Sequence, residues 1–226
     1  TIKIKTMIKF QKPPTQTNNY LAPAGTHIAR CFKMIHLGTL QAEYKGEKKE
    51  KNGLWVEFEL PGEMKVFREG EIEKPAAASI EYNLTSYETA KLFIHLNTWL
   101  GRTLSPQEID DFDVSSQLGE PCMLTIVHNT SSNGRTYANI NAVSGLPKGV
   151  ICPAQINPTF VWDYDENFDI QAFDSFPHFI QEKIKSTPEW ILKTEEIKEI
   201  NVNAPHVEEV RQEINEAIHG HDDLPF

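Results

Sequence analysis

The stretch Leu54-Trp55-Val56-Glu57-Phe58-Glu59-Leu60 decides the fold class, because apolar and polar side chains alternate along it. Every even-numbered residue is apolar, whereas Trp55 and the two glutamates occupy the odd positions. Alternation with a period of two is typical of a β-strand that buries one face only. The sequence therefore predicts a strand with Val56, Phe58 and Leu60 on its inner face and Trp55 on its outer face.

Strand-like patterns also flank this stretch on both sides. They cover residues 27–37, 77–84, 122–129 and 137–143, with a shorter pattern at residues 64–68. The charged stretch from Glu43 to Asn52 is predicted as a loop after the first strand. Asn133-Gly134 predicts a hairpin between the last two strands, because this dipeptide readily adopts positive φ angles.

Two helices are predicted between the third and fourth strands. The first covers residues 87–100, capped by Thr85 or Ser86, and its buried stripe is predicted as Ala90, Phe93, Ile94, Asn97 and Leu100. The second opens at Ser105 with Pro106 in its first turn. This order is that of an OB-fold, a five-stranded Greek-key barrel with a helix between strands three and four. The alternative is an α+β domain with helices on one open antiparallel sheet.

The predicted organisation has four parts. Residues 1–25 form an N-terminal arm and residues 26–150 form the OB-fold domain. Residues 151–193 are rich in aromatic side chains and include a predicted short helix from Phe179 to about Ser186. We expect this segment to pack on the barrel, because so many aromatic groups exposed to water would favour aggregation. Residues 194–226 form an acidic tail with a possible helix at 206–218.

Charge is distributed unevenly along the chain. The net charge is −10, yet residues 1–150 contain 17 basic and 16 acidic side chains, whereas residues 151–226 contain 5 and 16. Residues 1–60 alone have 10 basic and 5 acidic side chains. A basic front and an acidic back are expected when an acidic tail accompanies an anion-binding domain.

No enzyme motif is found in the sequence. The phosphate loop, the dinucleotide fingerprint, the nucleophile elbow and the zinc-protease helix motif are all absent. Acidic residues from Asp163 to Asp174 follow EF-hand spacing, but Phe168 stands where that loop requires glycine. Asp110, Asp111 and Asp113 leave a magnesium-dependent nuclease open as a minor alternative. We therefore expect no catalysis, no cofactor and no metal.

Cysteine usage predicts a reducing compartment. Cys31, Cys122 and Cys152 are far apart in the sequence and form no C-x-x-C pair, which favours free thiols over disulfides or zinc. No stretch is long and apolar enough to span a membrane. Together these features predict a cytoplasmic location without membrane attachment.

The residues predicted on the outer face of the barrel indicate that it binds single-stranded nucleic acid. Such sites combine cationic groups with aromatic faces on which bases stack, and Trp55 and Tyr137 are the predicted outward aromatics. The predicted cationic groups lie on the first strand, on the charged loop and at the last hairpin. They are Arg30, Lys33, His36, Lys45, Lys48, Lys49, Lys51 and Arg135. Together with Trp55 and Tyr137 they form the candidate DNA-binding residues.

Three stretches, 24–39, 56–61 and 141–145, resemble single-stranded DNA-binding proteins of tailed phages. Separately, the tip Asp222-Asp223-Leu224-Pro225-Phe226 resembles the acidic tail tip of bacterial single-stranded DNA-binding proteins. The resemblance implies an OB-fold, sequence-tolerant binding of single-stranded DNA, and a role in phage replication and recombination inside an infected bacterium.

For the tip, the resemblance implies recruitment of replication and recombination proteins through Asp222, Asp223, Leu224, Pro225 and Phe226. The long Gly/Gln/Pro-rich linker of the bacterial proteins is missing, so we expect a monomer or dimer. The alternative function is an acidic protein-interaction module that mimics DNA and blocks a host enzyme, since residues 151–226 contain 16 carboxylates.

Overall fold

A computed structural model describes residues 21–44 and 46–203 of the protein, and confirms the prediction of a mainly β fold. The strands are β1 (Gly25–Tyr44), β2 (Glu47–Lys65), β3 (Lys74–Asn83), β4 (Pro121–Thr130), β5 (Thr136–Ser144) and β6 (Phe160–Trp162). The helices are α1 (Lys91–Leu100), α2 (Pro106–Asp110), α3 (Ile170–Asp174), α4 (His178–Lys185) and α5 (Pro188–Asn203), with a 3-10 turn at Val114–Gln117. None of the helices in these ranges has the length and apolarity needed to cross a membrane.

Five strands form an antiparallel sheet in the order β3-β2-β1-β4-β5, and β6 adds to β1 in parallel. β1 uses one edge twice, because residues 25–30 pair with β4 and residues 33–35 pair with β6. Its other edge pairs with β2. Cα atoms of the outermost strands, β3 and β5, come within 8 Å of each other, so the open sheet is strongly curved.

The charged stretch after the first strand is not a loop, and that prediction was wrong. β1 and β2 pair without interruption from Thr39–Asn52 to Tyr44–Glu47, and residues 39–44 and 47–52 form a two-stranded β-ribbon. Glu43 and Lys48 face each other across the ribbon with opposite charges, and such a cross-strand pair stabilises the ladder. Gly46 adopts a φ of +81° that few other residues tolerate.

The helix α1 begins four residues later than predicted, and its capping residue is Ala90 rather than Thr85 or Ser86. Residues 85–90 are instead irregular and include a turn. The predicted buried stripe was also wrong at Ile94, which is exposed, because the buried residues of α1 are Leu92, Phe93, His95 and Leu96. The second helix begins as predicted, with a capping box between Ser105 and Glu108.

The concave side of the sheet holds the main hydrophobic core. Phe58 of β2, Leu124 of β4 and Ile140 of β5 are buried there. α1 closes this core across the gap between β3 and β5: the Thr98 hydroxyl donates to the Val143 carbonyl at 2.6 Å. His95 of the same helix hydrogen-bonds to Tyr82 of β3 at 2.7 Å.

A second core lies on the convex side of β1. Ile35, Leu37 and Leu40 point away from the main core and pack against Trp162 and the aromatic side chains of residues 164–184. Hydrogen bonds also hold the segment before β6 to β2. The buried Glu59 carboxylate accepts them from the backbone N–H groups of Ile156 and Asn157 at 3.1 and 2.8 Å. The aromatic segment therefore covers the middle of the convex face.

Candidate nucleic-acid interface

The convex face of β2 and β3 presents Trp55 beside the aromatic cover. Alternation along β2 buries Val56 and Phe58 inside, so Trp55 is directed outward, between Ile35 of β1 and Glu81 of β3. The indole remains half-buried, and its N–H donates to the Glu57 carboxylate at 2.9 Å. Its ring is thus held in one orientation at the edge of the second core.

Phe179 of α4 completes an aromatic pair with Trp55. The two ring centroids are 5.4 Å apart and the planes meet at 67°, an edge-to-face arrangement favoured by aromatic quadrupoles. Phe179 is 49% exposed, a large fraction for a phenylalanine. The pair therefore offers solvent-accessible aromatic surface at the border between β2 and α4.

Two lysines flank this pair and share one carboxylate. Lys51 of β2 and Lys183 of α4 both form salt bridges with Glu81, one to each oxygen. Burial alone would raise the pKa of Glu81, but hydrogen bonds and charge from Lys183 and Lys51 outweigh it and lower the pKa below its ordinary value. A single negative charge therefore faces two positive charges, and the cluster has a net charge of +1.

The β-ribbon extends the cationic side of this surface. Lys49, Lys51 and Trp55 occupy odd positions of β2. The register shift in this part of the pairing adds its extra residue to β1, between His36 and Gly38, so β2 keeps its alternation and the three side chains share one face. Lys48 lies on the other face of the ribbon, opposite Glu43. Both Lys48 and Lys49 are exposed. The predicted Lys45 lies outside the described residues.

We name the surface formed by Lys49, Lys51, Trp55, Phe179 and Lys183 the ribbon-side patch. The sequence singled out the first three of these residues and missed the last two. The sequence does contain one indication that Phe179 and Lys183 act together: their i, i+4 spacing places both on one face of a helix.

Three predicted cationic residues have their polar groups engaged inside the fold. Lys33 lies 3.8 Å from Glu57 and above the rings of Phe160 and Phe176. The Arg30 guanidinium donates to the carbonyl oxygens of Gly119 and Pro153 at 2.5 and 3.0 Å.

The third of these residues, His36, bonds to the Asn52 side chain at 2.6 Å. These contacts join β1 to the segments packed on it. The ribbon-side patch therefore does not include Arg30, Lys33 or His36.

Tyr137 and Arg135 lie elsewhere on the sheet. Both belong to the β4–β5 hairpin, whose turn lies at the end of the sheet where β1 begins, whereas the β-ribbon lies where β1 ends. Arg135 is exposed and Tyr137 is 46% exposed. The ribbon-side patch therefore does not include Arg135 or Tyr137 either.

Acidic clusters in the described part of the chain serve local structure. Asp163 accepts hydrogen bonds from the backbone N–H groups of Asp165 and Asn167, and Asp113 caps the 3-10 turn. Among residues 21–44 and 46–203, no group of three or more His, Cys, Asp or Glu side chains is arranged to hold a metal ion. The predicted tip, Asp222 to Phe226, lies outside the described residues.

Comparison with protein-family models and with curated protein sequences gives no match.

Proposed function

We propose that the protein is a non-enzymatic, sequence-tolerant single-stranded DNA-binding protein whose binding surface is the ribbon-side patch. The observation that carries this proposal is the pairing of the exposed Phe179 with the half-buried Trp55, bordered by Lys51 and Lys183. Aromatic faces beside lysines meet both chemical requirements of a single strand, which offers unstacked bases and a chain of phosphates.

An OB-fold assignment is supported by the topology. The order β3-β2-β1-β4-β5, the approach of β3 to β5 and the position of α1 between the third and fourth strands are all those expected for this barrel. OB-folds commonly bind oligonucleotides on the face of strands two and three and with the loop after strand one. In this chain those regions correspond to the ribbon-side patch and the β-ribbon.

In the proposed complex, a base stacks on the exposed part of Phe179 and its neighbour contacts Trp55. Lys51, Lys183 and Lys49 neutralise adjacent phosphates. Stacking contributes roughly 1–3 kcal/mol per base. If two or three phosphates are neutralised, the logarithm of the affinity falls with the logarithm of salt with a slope of about −1.4 to −2. Paired bases are stacked inside a duplex, so a blunt duplex binds more weakly.

The acidic tail supplies the second part of the proposal. Asp222, Asp223, Leu224, Pro225 and Phe226 combine carboxylates with apolar side chains, which suits a basic-rimmed apolar pocket on replication or recombination proteins. The setting we propose is phage DNA metabolism in the cytoplasm of an infected bacterium. Deletion of residues 222–226 is expected to abolish partner pull-down while leaving the affinity for DNA equal or higher.

Titration of labelled oligo-dT with the full chain tests the DNA-binding proposal. We expect Phe179→Ala to weaken binding by about 5- to 150-fold, the equivalent of one stacked base. Tyr87→Ala is the matched control, because Tyr87 is an aromatic residue that is 76% exposed and does not belong to the patch. Equal affinities for the two variants would contradict the patch, and no binding of oligo-dT by the wild-type chain would favour the acidic interaction module instead.

A further inference from the structure

A groove on the helical side of the protein has no role in the proposed function. α1, α2 and the segment entering α1 enclose two adjoining cavities of about 290 and 490 Å³. Phe93, Leu104 and Ile109 line both cavities, and Leu84 and Phe112 extend the apolar lining of the smaller one. The groove is large enough for several apolar side chains.

The rim of this groove is acidic. Residues 84–118 contain five acidic and two basic side chains. Both basic groups are engaged, because Lys91 donates to the Ile140 carbonyl and Arg102 pairs with Glu108. Glu88 and Asp110 line the larger cavity, and neither forms a salt bridge within the described part of the chain. Phosphates and the acidic tail are therefore repelled from the groove, and an apolar segment with cationic side chains suits it.

We propose that residues 1–10 of the same chain occupy this groove. Their sequence, Thr-Ile-Lys-Ile-Lys-Thr-Met-Ile-Lys-Phe, alternates apolar and cationic residues, and the first acidic residue of the chain is Glu43. The apolar side chains fill the cavities, while Lys3, Lys5 and Lys9 reach the carboxylates of Glu88 and Asp110. The positive charge of residues 1–10 complements the acidic rim of the groove, and their apolar side chains match its apolar lining.

The length of the connecting segment permits this contact. The described chain begins at Leu21, next to Ala22, whose carbonyl accepts a hydrogen bond from His128. Residues 11–20 can span at most roughly 35 Å when extended, which is comparable to the diameter of a small domain. Residues 1–10 can therefore reach a groove on another side of the same molecule.

Zero-length carbodiimide cross-linking of the full chain tests the contact directly, because it joins only amines and carboxylates already in contact. A mixture of ¹⁴N- and ¹⁵N-labelled protein distinguishes cross-links within a chain from those between copies. We expect Lys3, Lys5 or Lys9 joined to Glu88 or Asp110 in peptides of a single isotope. Mixed-isotope cross-links, or cross-links from these lysines only to carboxylates of residues 204–226, would overturn the proposal.

Hydrogen exchange provides a second measurement with a matched control. In the double variant Ile4→Asp/Ile8→Asp, we expect exchange in residues 84–96 and 104–112 to quicken several-fold, since the apolar occupant is lost. The variant Thr15→Asp/Thr17→Asp introduces the same charge in the same arm and should leave exchange unchanged. Equal exchange in the two variants, or an effect confined to the ribbon-side patch, would refute the docking of residues 1–10.

Discussion

The Glu189 carboxylate accepts hydrogen bonds from both the backbone N–H and the hydroxyl of Thr39, at 3.0 and 2.5 Å. Thr39 lies at the base of the β-ribbon and Glu189 lies in the first turn of α5. This contact joins the helix that leads into the acidic tail to the strand that supports the ribbon.

Loss of the Glu189 carboxylate is expected to destabilise the protein. Hydrogen bonds to a charged group contribute about 2 kcal/mol, so Glu189→Ala should lower the free energy of unfolding in urea by about that amount. Glu195→Ala, at an exposed position of the same helix, should change it little. Equal effects would show that the contact with Thr39 adds no stability.

The effect of Glu189 should also depend on pH. Burial would raise the pKa of Glu189, but hydrogen bonds from Thr39 outweigh it and lower the pKa below the ordinary value of 4.5. A carboxyl with a lowered pKa stabilises the fold above its unfolded pKa, and this stabilisation is lost as the pH falls through the folded value. The stability difference between wild type and Glu189→Ala should therefore be full at pH 6 and shrink below about pH 4.5.

Gly38 is expected to tolerate no side chain. Its φ is +82°, and a Cβ atom there would meet Glu189 Oε2 at 2.9 Å, Tyr164 Oη at 3.0 Å and Thr187 Oγ1 at 3.1 Å. Gly46 has a nearly identical φ of +81° with no atom within 4 Å, so Gly46→Ala isolates the backbone strain. Gly38→Ala should lower the melting temperature clearly more than Gly46→Ala. Similar losses would mean that the crowding around Gly38 relaxes.

Replacement of Glu81 should strengthen DNA binding. Glu81→Gln removes the negative charge that Lys51 and Lys183 share, so both lysines bind phosphates without a competing carboxylate. Oligo-dT affinity at low salt should rise several-fold, and the salt slope should steepen by about 0.7 for each added phosphate contact. Glu120→Gln changes the net charge equally at an exposed position and should leave the slope unchanged.

The β4–β5 hairpin should matter only for longer strands. Tyr137 and Arg135 lie at the opposite end of β1 from the β-ribbon, so a short oligonucleotide on the ribbon-side patch does not reach them. Since OB-folds bind about 4–16 nucleotides each, we expect Tyr137→Ala to weaken binding of a 30-nucleotide oligo-dT but not of an 8-nucleotide one. An equal loss for both lengths would place Tyr137 in the primary site.

Because of His95, we expect the free energy of unfolding to fall in mild acid. Burial lowers the pKa of His95 below 6.5, with a smaller contribution from the charge of Lys91 and a partly opposing hydrogen bond to the Asn141 carbonyl. A histidine kept neutral in the fold stabilises it above the unfolded pKa and loses this effect as the pH falls below that value. As the pH falls below 6.5, the free energy of unfolding should fall by at most about 1.4 kcal/mol per pH unit. His95→Gln should flatten this slope, whereas the exposed His178→Gln should not.

Local patterns in the sequence predicted the strands well where each strand is regular. Alternation identified the two faces of β2, and Asn133-Gly134 identified the β4–β5 turn, in which Gly134 has a φ of +79°. In β5, however, the pairing skips Asn141. The buried partner of Ile140 is therefore Val143 rather than Ala142, and alternation alone cannot detect such a bulge.

The candidate site was only half predictable, because its parts come from distant segments. Trp55 was predicted from the alternation along β2, and Lys51 was predicted as a cationic residue of the charged stretch that was expected to be a loop. Phe179 and Lys183 lie more than a hundred residues away, and only the packing of α4 on the convex face brings them to Trp55 and Glu81. No local pattern encodes that contact.

The parallel pairing of β6 with residues 33–35 of β1 has a consequence for biosynthesis. Ile35 contacts its cover only once Trp162 has been translated, 127 residues later. At about 5–20 residues per second, the ribosome needs roughly 6–25 s for that interval. During this time Ile35, Leu37 and Leu40 lack the aromatic cover that buries them in the finished fold.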